Sequence, residues 1–164
     1  MNIPQLVWDK YKEAVDKMTS DWFGVNCRVY YPAIKTICPN CDFNTLTQRS
    51  NNTYKSGGPI PFNGICPYCN GDGYTNEETS EVIKMRCYFN KKDWVKVNVP
   101  IEIKDGMVQT IGFMSDAPKC LRSSRVILNS DQERFLSNDY KLSGYPTPHG
   151  FKKDLYFVAF WEKA

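Results

Sequence analysis

The chain has 164 residues, of which 41% are hydrophobic, 24% are charged and 14% are aromatic, and its formal net charge is +3. This composition is that of an ordinary soluble protein with one core, or with a core and a small satellite domain. The charge is too small to indicate a polyanionic partner by itself, and no apolar run approaches a bilayer span or forms a signal peptide.

Residues 4–18 are predicted to form an amphipathic helix. Pro4 suits the first helical turn, and apolar side chains then recur at three- to four-residue spacing. The predicted stripe contains Ile3, Leu6, Val7, Tyr11, Ala14, Val15 and Met18. Such a stripe fits a helix that packs on its own domain or one that packs on a partner subunit, and the pattern does not decide between them.

Residues 25–31 alternate as a half-buried strand does, and Pro32 ends the segment. Cys27 falls on the apolar face of this strand. We therefore interpret Cys27 as a small buried apolar residue and not as a metal ligand.

Two Cys-x-x-Cys turns dominate the next part of the chain. Cys38 and Cys41 are separated from Cys66 and Cys69 by 24 residues. Each turn aims two sulfurs at one point, and two such turns together give the Cys₄ tetrahedron that structural zinc prefers. Because protein sulfur fills all four coordination positions, none is left for a substrate water, which predicts a structural and not a catalytic Zn²⁺.

Disulfides and a redox Cys-x-x-Cys are the alternatives to a metal. A redox pair normally stands at the start of a helix in a βαβ unit. Both turns here lie among Pro, Gly and Asn with no amphipathic helix after them, so zinc is the favoured interpretation. Cys27, Cys87 and Cys120 then remain as thiols, which suits a reducing compartment.

Residues 33–75 are predicted to be a zinc-binding insertion. Between the two cysteine pairs lie Ser, Asn, Gly and Pro residues without a periodic core pattern. Such a segment cannot bury enough apolar surface to order itself, so the metal would supply its folding free energy. Residues 1–32 (helix and first strand) and 76–164 are predicted to form one β-domain around the insertion.

From residue 81 the hydrophobic pattern has a period of two, which is typical of half-buried strands. We expect strands at residues 81–89, 95–103, 107–114, 120–128 and 155–161, with a turn at 104–106 that pairs 95–103 with 107–114. Cys87 falls on the apolar face of its strand. The strand at 155–161 is apolar on both faces, so it is either central or has one face against another molecule.

Short successive strands joined by tight turns favour a mainly β fold. The predicted architecture is a small antiparallel β-barrel or sandwich with an N-terminal helix and an inserted Cys₄ zinc knob.

Little in the sequence supports an enzyme. His149 is the only histidine and lies between Pro148 and Gly150 in a segment rich in chain breakers. A lone histidine without a partner pattern is more often solvated than catalytic, and no phosphate-binding glycine loop or nucleophile elbow occurs. We predict a non-enzymatic protein.

A zinc ribbon that binds nucleic acid, in a regulatory role, is the alternative function. Residues 36–75 carry Arg49 and Lys55 against Asp42 and Asp72, so their side-chain charges cancel. Four thiolates on a Zn²⁺ add about −2. A module that grips phosphates is expected to be basic, so the charge weighs against this alternative.

The second cysteine turn carries a local resemblance. Its residues are Cys66-Pro67-Tyr68-Cys69-Asn70-Gly71-Asp72-Gly73. They resemble the CxxCxGxG unit of the zinc domain of DnaJ-type chaperones. The resemblance covers about eight residues, lacks the glycines at the first turn, and implies shared zinc-turn chemistry rather than chaperone function.

The order of segments carries a longer resemblance. An amphipathic helix precedes Trp22-Phe23-Gly24 and a strand that ends at Tyr30-Tyr31-Pro32. Near the C-terminus, Tyr140-Lys141-Leu142-Ser143-Gly144-Tyr145-Pro146 and Gly150 precede an apolar strand at 156–162. This order is similar to that of head-closure (stopper, head–tail connector) proteins of tailed bacteriophages.

That resemblance implies a structural protein of the virion neck, assembled in the host cytoplasm. The expected partners are further copies of the chain in a ring, the phage portal or adaptor, and tail proteins, with packaged DNA as another candidate contact and no membrane. The family supplies no catalytic residues. Most of its members lack the zinc knob.

Overall fold

The structure is a computed structural model that describes residues 4–97, 101–132, 139–150 and 155–164. Its contacts divide the chain into a barrel unit, Met1–Tyr31 with Ser80–Ala164, and a cysteine unit, Pro32–Thr79. The sequence predicts an insertion that ends at residue 75. The cysteine unit extends further because a strand at Tyr74–Glu77 pairs within it.

Two α-helices occur in the described residues, α1 (Gln5–Lys17) and α2 (Ala117–Arg122). A π-helical turn, Met18–Trp22, continues α1. The strands are β1 (Gly24–Tyr30), β2 (Ile34–Ile37), β3 (Cys41–Asn44), β4 (Arg49–Tyr54), β5 (Tyr74–Glu77), β6 (Ser80–Tyr88), β7 (Val108–Phe113), β8 (Arg125–Ile127), β9 (Asp139–Leu142), β10 (Thr147–His149) and β11 (Tyr156–Lys163).

Six strands of the barrel unit close into an antiparallel barrel. The order is β11, β7, β6, β1, β8 and β9, and the circle closes where β9 pairs with β11. The short strand β10 adds to β11 outside this circle. The predicted mainly β fold is confirmed, and the structure selects a barrel over a sandwich.

The interior of the barrel is one apolar core. Its buried members are Cys27, Val29, Ile83, Met85, Val108, Ala117, Cys120, Val126, Leu128, Tyr140, Phe157, Ala159 and Trp161. Trp161 donates its indole N–H to the hydroxyl oxygen of Thr110 over 2.8 Å, which satisfies the polar atom of a fully buried ring. Cys27 is buried as expected, whereas Cys87 is half-buried at the edge of this core.

A second apolar cluster, the outer layer, covers the outside of β7 and β11. Its buried members are Met107, Ile111, Tyr156, Val158 and Phe160. Val15 of α1 and the segment around Trp94 pack against it. Both faces of β11 are therefore buried within the chain, which explains its apolar pattern and leaves neither face for another molecule.

Helix α1 packs with a different face from the predicted one. Trp8 is buried and Val15 packs on the outer layer, and the Tyr156 hydroxyl donates to the Asp16 carboxylate over 2.7 Å. Burial and the neighbouring carboxylate of Asp16 raise the pKa of Tyr156, so its hydroxyl stays a donor. The N-terminal part of the expected stripe is exposed instead, with 67% of Leu6, 54% of Val7 and 41% of Tyr11 accessible. Of the other stripe residues, Val15 and Met18 are half-buried, Ala14 is exposed, and Ile3 lies outside the described residues.

The strand predicted at residues 95–103 is wrong in the described part, and residues 98–100 lie outside the described residues. Val95 and Val97 are in coil and pack on the outer layer. The side-chain amide of Gln109 accepts from the Val95 N–H over 2.7 Å and donates to its carbonyl over 2.8 Å. A side chain thus replaces the expected backbone pairing, and β7 pairs with β6 and β11.

The strand predicted at residues 120–128 is half helical. Cys120 lies buried in α2, and only Arg125–Ile127 form a strand. Pro118 stands in the first turn of α2, where its missing N–H costs nothing. His149 belongs to β10, opposite Tyr156.

Candidate metal centre

The structure brings the sulfurs of Cys38, Cys41, Cys66 and Cys69 together. All four lie within 4.8 Å of one another and all four residues are buried. The Cys38 and Cys66 sulfurs are 3.9 Å apart, and those of Cys41 and Cys69 are 3.6 Å apart. A tetrahedron with zinc–sulfur bonds of about 2.3 Å has edges of about 3.8 Å, so this donor set fits such an ion.

A small two-stranded sheet brings the turns together. Strand β2 ends at Ile37, directly before Cys38, and β5 begins at Tyr74, directly after the second turn. The pairing of Ile37 with Tyr74 and a 2.9 Å bond from the Cys38 N–H to the Gly73 carbonyl join the two ends. The sequence predicts only loops here, because these strands are short, exposed and without apolar alternation.

The second turn depends on backbone shapes that glycine tolerates. Gly71 and Gly73 have φ angles of +87° and +80°, in line with the predicted metal-binding turn. The Gly73 N–H lies 3.3 Å from the Cys69 sulfur. A Cβ at Gly73 would come within 2.6 Å of the Ser50 nitrogen, so this position requires glycine for space as well as conformation.

Asn40 is the site residue that sequence reasoning missed. It is fully buried, and its backbone N–H lies 3.5 Å from the Cys38 sulfur. Its side-chain amide donates to the Cys66 sulfur over 3.6 Å and accepts from the Ile60 N–H over 2.8 Å. Asn40 therefore links both turns and the loop between them. Nothing in the spacing marks it, because either inner position of a Cys-x-x-Cys turn accepts many residues.

The electrostatics of the cluster favour a bound cation. Burial raises the pKa of Cys41 to about 12. Burial also opposes ionisation of Cys66, yet the backbone N–H groups of Cys69 and Tyr68 and the Asn40 amide lower the pKa of Cys66 to about 6. One thiolate is thus stabilised by the protein, whereas further ionisation of neighbouring buried sulfurs requires a positive charge.

The cysteines are also the core of their unit. Between residues 32 and 79, all of which are described, the buried side chains are the four cysteines and that of Asn40. Phe62 packs against them. Two edge-to-face aromatic pairs lie around this centre, Phe43 with Tyr74 and Tyr54 with Phe62. The predicted absence of an apolar core is confirmed for this unit.

The other candidate residues lie elsewhere. Cys27 and Cys87 have sulfurs 3.8 Å apart in the barrel unit, and Cys120 is in α2. His149 is half-buried on β10. Within the described ranges, the Cys₄ cluster is the only grouping of three or more His, Cys, Asp or Glu side chains placed to hold a metal.

Comparison with protein-family models, with curated proteins and with solved structures finds no match to the chain. In the part of the chain that the structure describes, no helix combines the length and the apolar composition needed to cross a bilayer.

Proposed function

We propose that the four cysteines hold a structural Zn²⁺ ion. The support is the near-tetrahedral spacing of four buried sulfurs, with N–H donors from Asn40 and Gly73 directed at three of them. With four sulfur ligands a zinc ion is coordinatively complete. Its role would be to fold the cysteine unit, which has no other buried core.

The disulfide and redox alternatives fit less well. The short sulfur contacts run between the two turns at 3.6 and 3.9 Å, far beyond a bond length of about 2.05 Å. Neither turn starts a helix, because Cys41 opens β3 and Cys69 precedes the positive-φ residues Asn70 and Gly71. A helix N-terminus is what normally activates a redox pair.

The first test is metal analysis of gently purified protein. We expect about one zinc per chain, released by a thiol-modifying reagent, and a cobalt-substituted form with the intense bands of tetrahedral thiolate coordination. Protein without bound metal, or with the four sulfurs found as disulfides, would contradict the zinc proposal.

We further propose that the chain is a non-enzymatic structural protein that forms a ring in the neck of a tailed phage. The observation that carries this proposal is the exposed apolar face of α1, formed by Leu6, Val7 and Tyr11. A closed barrel offers few free sheet edges for pairing with another chain. Contacts between copies would therefore involve elements outside the barrel strands, such as α1. In a ring, this face of one copy would meet a different surface of the next copy. The proposal of a phage neck comes from the order of segments, which is similar to that of phage head-closure proteins.

The zinc would prepare the cysteine unit for assembly. A loop that is ordered by metal before it binds loses less conformational entropy on binding. We propose that this preordered unit contacts a neighbouring subunit or the adjacent ring of the neck.

Ring formation is tested by mass measurement and negative-stain imaging of the purified protein. We expect rings for the wild type, and monomers for a Leu6→Gln, Val7→Gln double variant. Leu121→Gln is the matched control, because Leu121 is a 47% exposed leucine on α2. A wild type that stays monomeric up to high concentration and does not bind a purified portal complex would overturn the proposal.

The charge of the cysteine unit argues against the zinc-ribbon alternative. Residues 32–79 contain three Lys and Arg residues against four Asp and Glu residues. Four thiolates with one Zn²⁺ would add about −2. We therefore do not propose this unit as a nucleic-acid-binding module.

A further inference from the structure

The outer surface of the barrel is different on its two sides. Apolar side chains of the outer layer cover β7 and β11. On β1 and β6, the inward positions hold core residues such as Val29 and Ile83, so the alternate positions face outward. We define the basic face as the outward residues of β1 and β6 together with one residue of β8: Asn26, Arg28, Tyr30, Val82, Lys84, Arg86, Tyr88 and Arg125.

The basic face carries four cations and, among its strand positions, no carboxylate. Arg28, Lys84 and Arg86 occupy neighbouring rows on β1 and β6, and Arg125 lies opposite Tyr30. Carboxylates occur at the rim, where Asp139 pairs with Arg125 at 3.0 Å and Asp131 accepts from the Asn26 amide at 2.9 Å. Lys84 and Arg86 form no ion pair among the described residues, so this part of the face keeps its positive charge.

Two of the arginines lie over aromatic rings. The guanidinium carbon of Arg86 lies 4.9 Å from the ring centre of Phe23 and 4.7 Å from that of Tyr88. That of Arg125 lies 3.7 Å from the ring centre of Tyr30. Contact with a ring restricts the motion of a guanidinium without using its N–H donors. Arg86 is thus ordered in advance and still able to pair with a phosphate.

Exposed aromatic rings stand at one end of the basic face. Trp22 is 65% exposed and Phe23 is 54% exposed, and both directly precede β1. Phe23 contacts Arg86 of the face itself. Exposed rings of this size suit the stacking of unpaired bases.

We propose that the basic face binds single-stranded nucleic acid, with phosphates against Lys84 and Arg86 and a base stacked on Trp22. The charge balance agrees, because the barrel unit holds 18 Lys and Arg residues against 14 Asp and Glu residues. An acidic protein would also satisfy the cations, and competition with polyglutamate separates it from a nucleic acid. A duplex keeps its bases stacked internally, so it would use only the cations. This inference does not depend on ring formation.

The proposal predicts a specific dependence on salt. Contact with about two phosphates of a single strand gives a slope of about −1.4 in a plot of log affinity against log salt concentration. Removal of one contact reduces the size of this slope by about 0.7. Loss of base stacking lowers affinity by about tenfold without a change in slope.

The test is fluorescence anisotropy with a labelled thymidine 20-mer, the zinc-loaded full chain and a series of salt concentrations. We expect Lys84→Gln to reduce the slope, Lys84→Glu to weaken binding by at least about tenfold, and Trp22→Ala to weaken binding at unchanged slope. Lys96→Glu is the matched control: it makes the same charge change at an exposed lysine beside the outer layer that is not part of the basic face. It should leave most of the affinity intact.

Several outcomes would overturn the proposal. One is no binding at low salt by a folded wild-type chain. Another is an equal loss for Lys84→Glu and Lys96→Glu, which would show only a general attraction. A third is competition by a duplex or by polyglutamate as effective as that by the unlabelled 20-mer. Circular dichroism of each variant separates these outcomes from misfolding.

Discussion

The barrel unit and the cysteine unit obtain their order from different sources. The barrel buries an apolar core inside its strands and a second apolar layer outside β7 and β11. The cysteine unit buries four cysteines and Asn40 and little else. The first unit is stabilised by removal of apolar area from water, and the second depends on ligation. Perturbation of one kind of order should therefore leave the other largely intact.

The largest expected effect is on the cysteine unit when a ligand is lost. Cys66→Ser removes one of four sulfurs, and structural zinc contributes about 10–16 kcal/mol to the folding of small domains. We expect loss of zinc and collapse of the amide resonances of residues 32–79 in two-dimensional NMR spectra, with the barrel resonances retained. Cys87→Ser, in the barrel unit, is the control and should keep its zinc. Global unfolding of Cys66→Ser would show that the two units fold as one.

The converse perturbation is the removal of a large ring from the barrel core. Trp161 is fully buried and its indole N–H bonds to Thr110. Trp161→Ala should lower the free energy of unfolding of the barrel by about 3–5 kcal/mol, while zinc content stays at one per chain. Trp22→Ala is the control for loss of an exposed indole and should cost under about 1 kcal/mol. Loss of zinc from the Trp161→Ala variant would show that the order of the cysteine unit depends on the barrel core.

A smaller effect is expected from an added methyl group at the second turn. Gly73 and Gly57 have φ angles of +80° and +87°, but only at Gly73 would a Cβ have other atoms within 4 Å. Gly57→Ala should cost about 1 kcal/mol through backbone strain alone. Gly73→Ala adds a clash with the backbone around Ser50, so we expect about 3 kcal/mol by chemical denaturation of the cysteine unit. Equal costs would mean that the turn can shift to make room.

The smallest effect concerns support of the ligands. Asn40→Ala removes a donor to the Cys66 sulfur and leaves the Ile60 N–H unsatisfied. We expect a zinc affinity about 10- to 100-fold lower, measured by competition with a chelator. Asn51→Ala, an exposed asparagine of the same unit, is the control and should bind zinc as the wild type does. An unchanged zinc affinity of the Asn40→Ala variant would show that Asn40 does not support the ligands.

The sequence predicts features that depend on residues close together in the chain. The two Cys-x-x-Cys spacings locate the cluster, and the alternation of β1 and β6 locates the inner core. An alternating pattern shows which side of a segment is buried, but not which other residues pack against that side. Val95 and Val97 alternate like a strand, yet they pack as coil because the Gln109 amide satisfies the Val95 backbone. Such a contact between distant residues leaves no periodic trace.

Helix α1 is a second case in which contacts with distant residues are not visible in the local sequence pattern. Leu6 and Val7 of its predicted stripe are exposed, while Trp8, which is not in that stripe, is buried. Asp16 lies on the packed side and accepts from Tyr156, a partner 140 residues away that the helical pattern does not reveal. Asn40 was missed for a related reason, since its importance comes from the Cys66 sulfur and the Ile60 N–H across the unit.

Strands β1 and β6 remain direct neighbours although the whole cysteine unit separates them along the chain. Tyr30, the last residue of β1, stands opposite Ser80, the first residue of β6. In topology, β1 and β6 form a hairpin whose turn is replaced by the cysteine unit. A simple two-residue reversal would close the same gap. Recombination at this point could therefore add, replace or delete the cysteine unit in a single event, without a change in the pairing of the barrel strands.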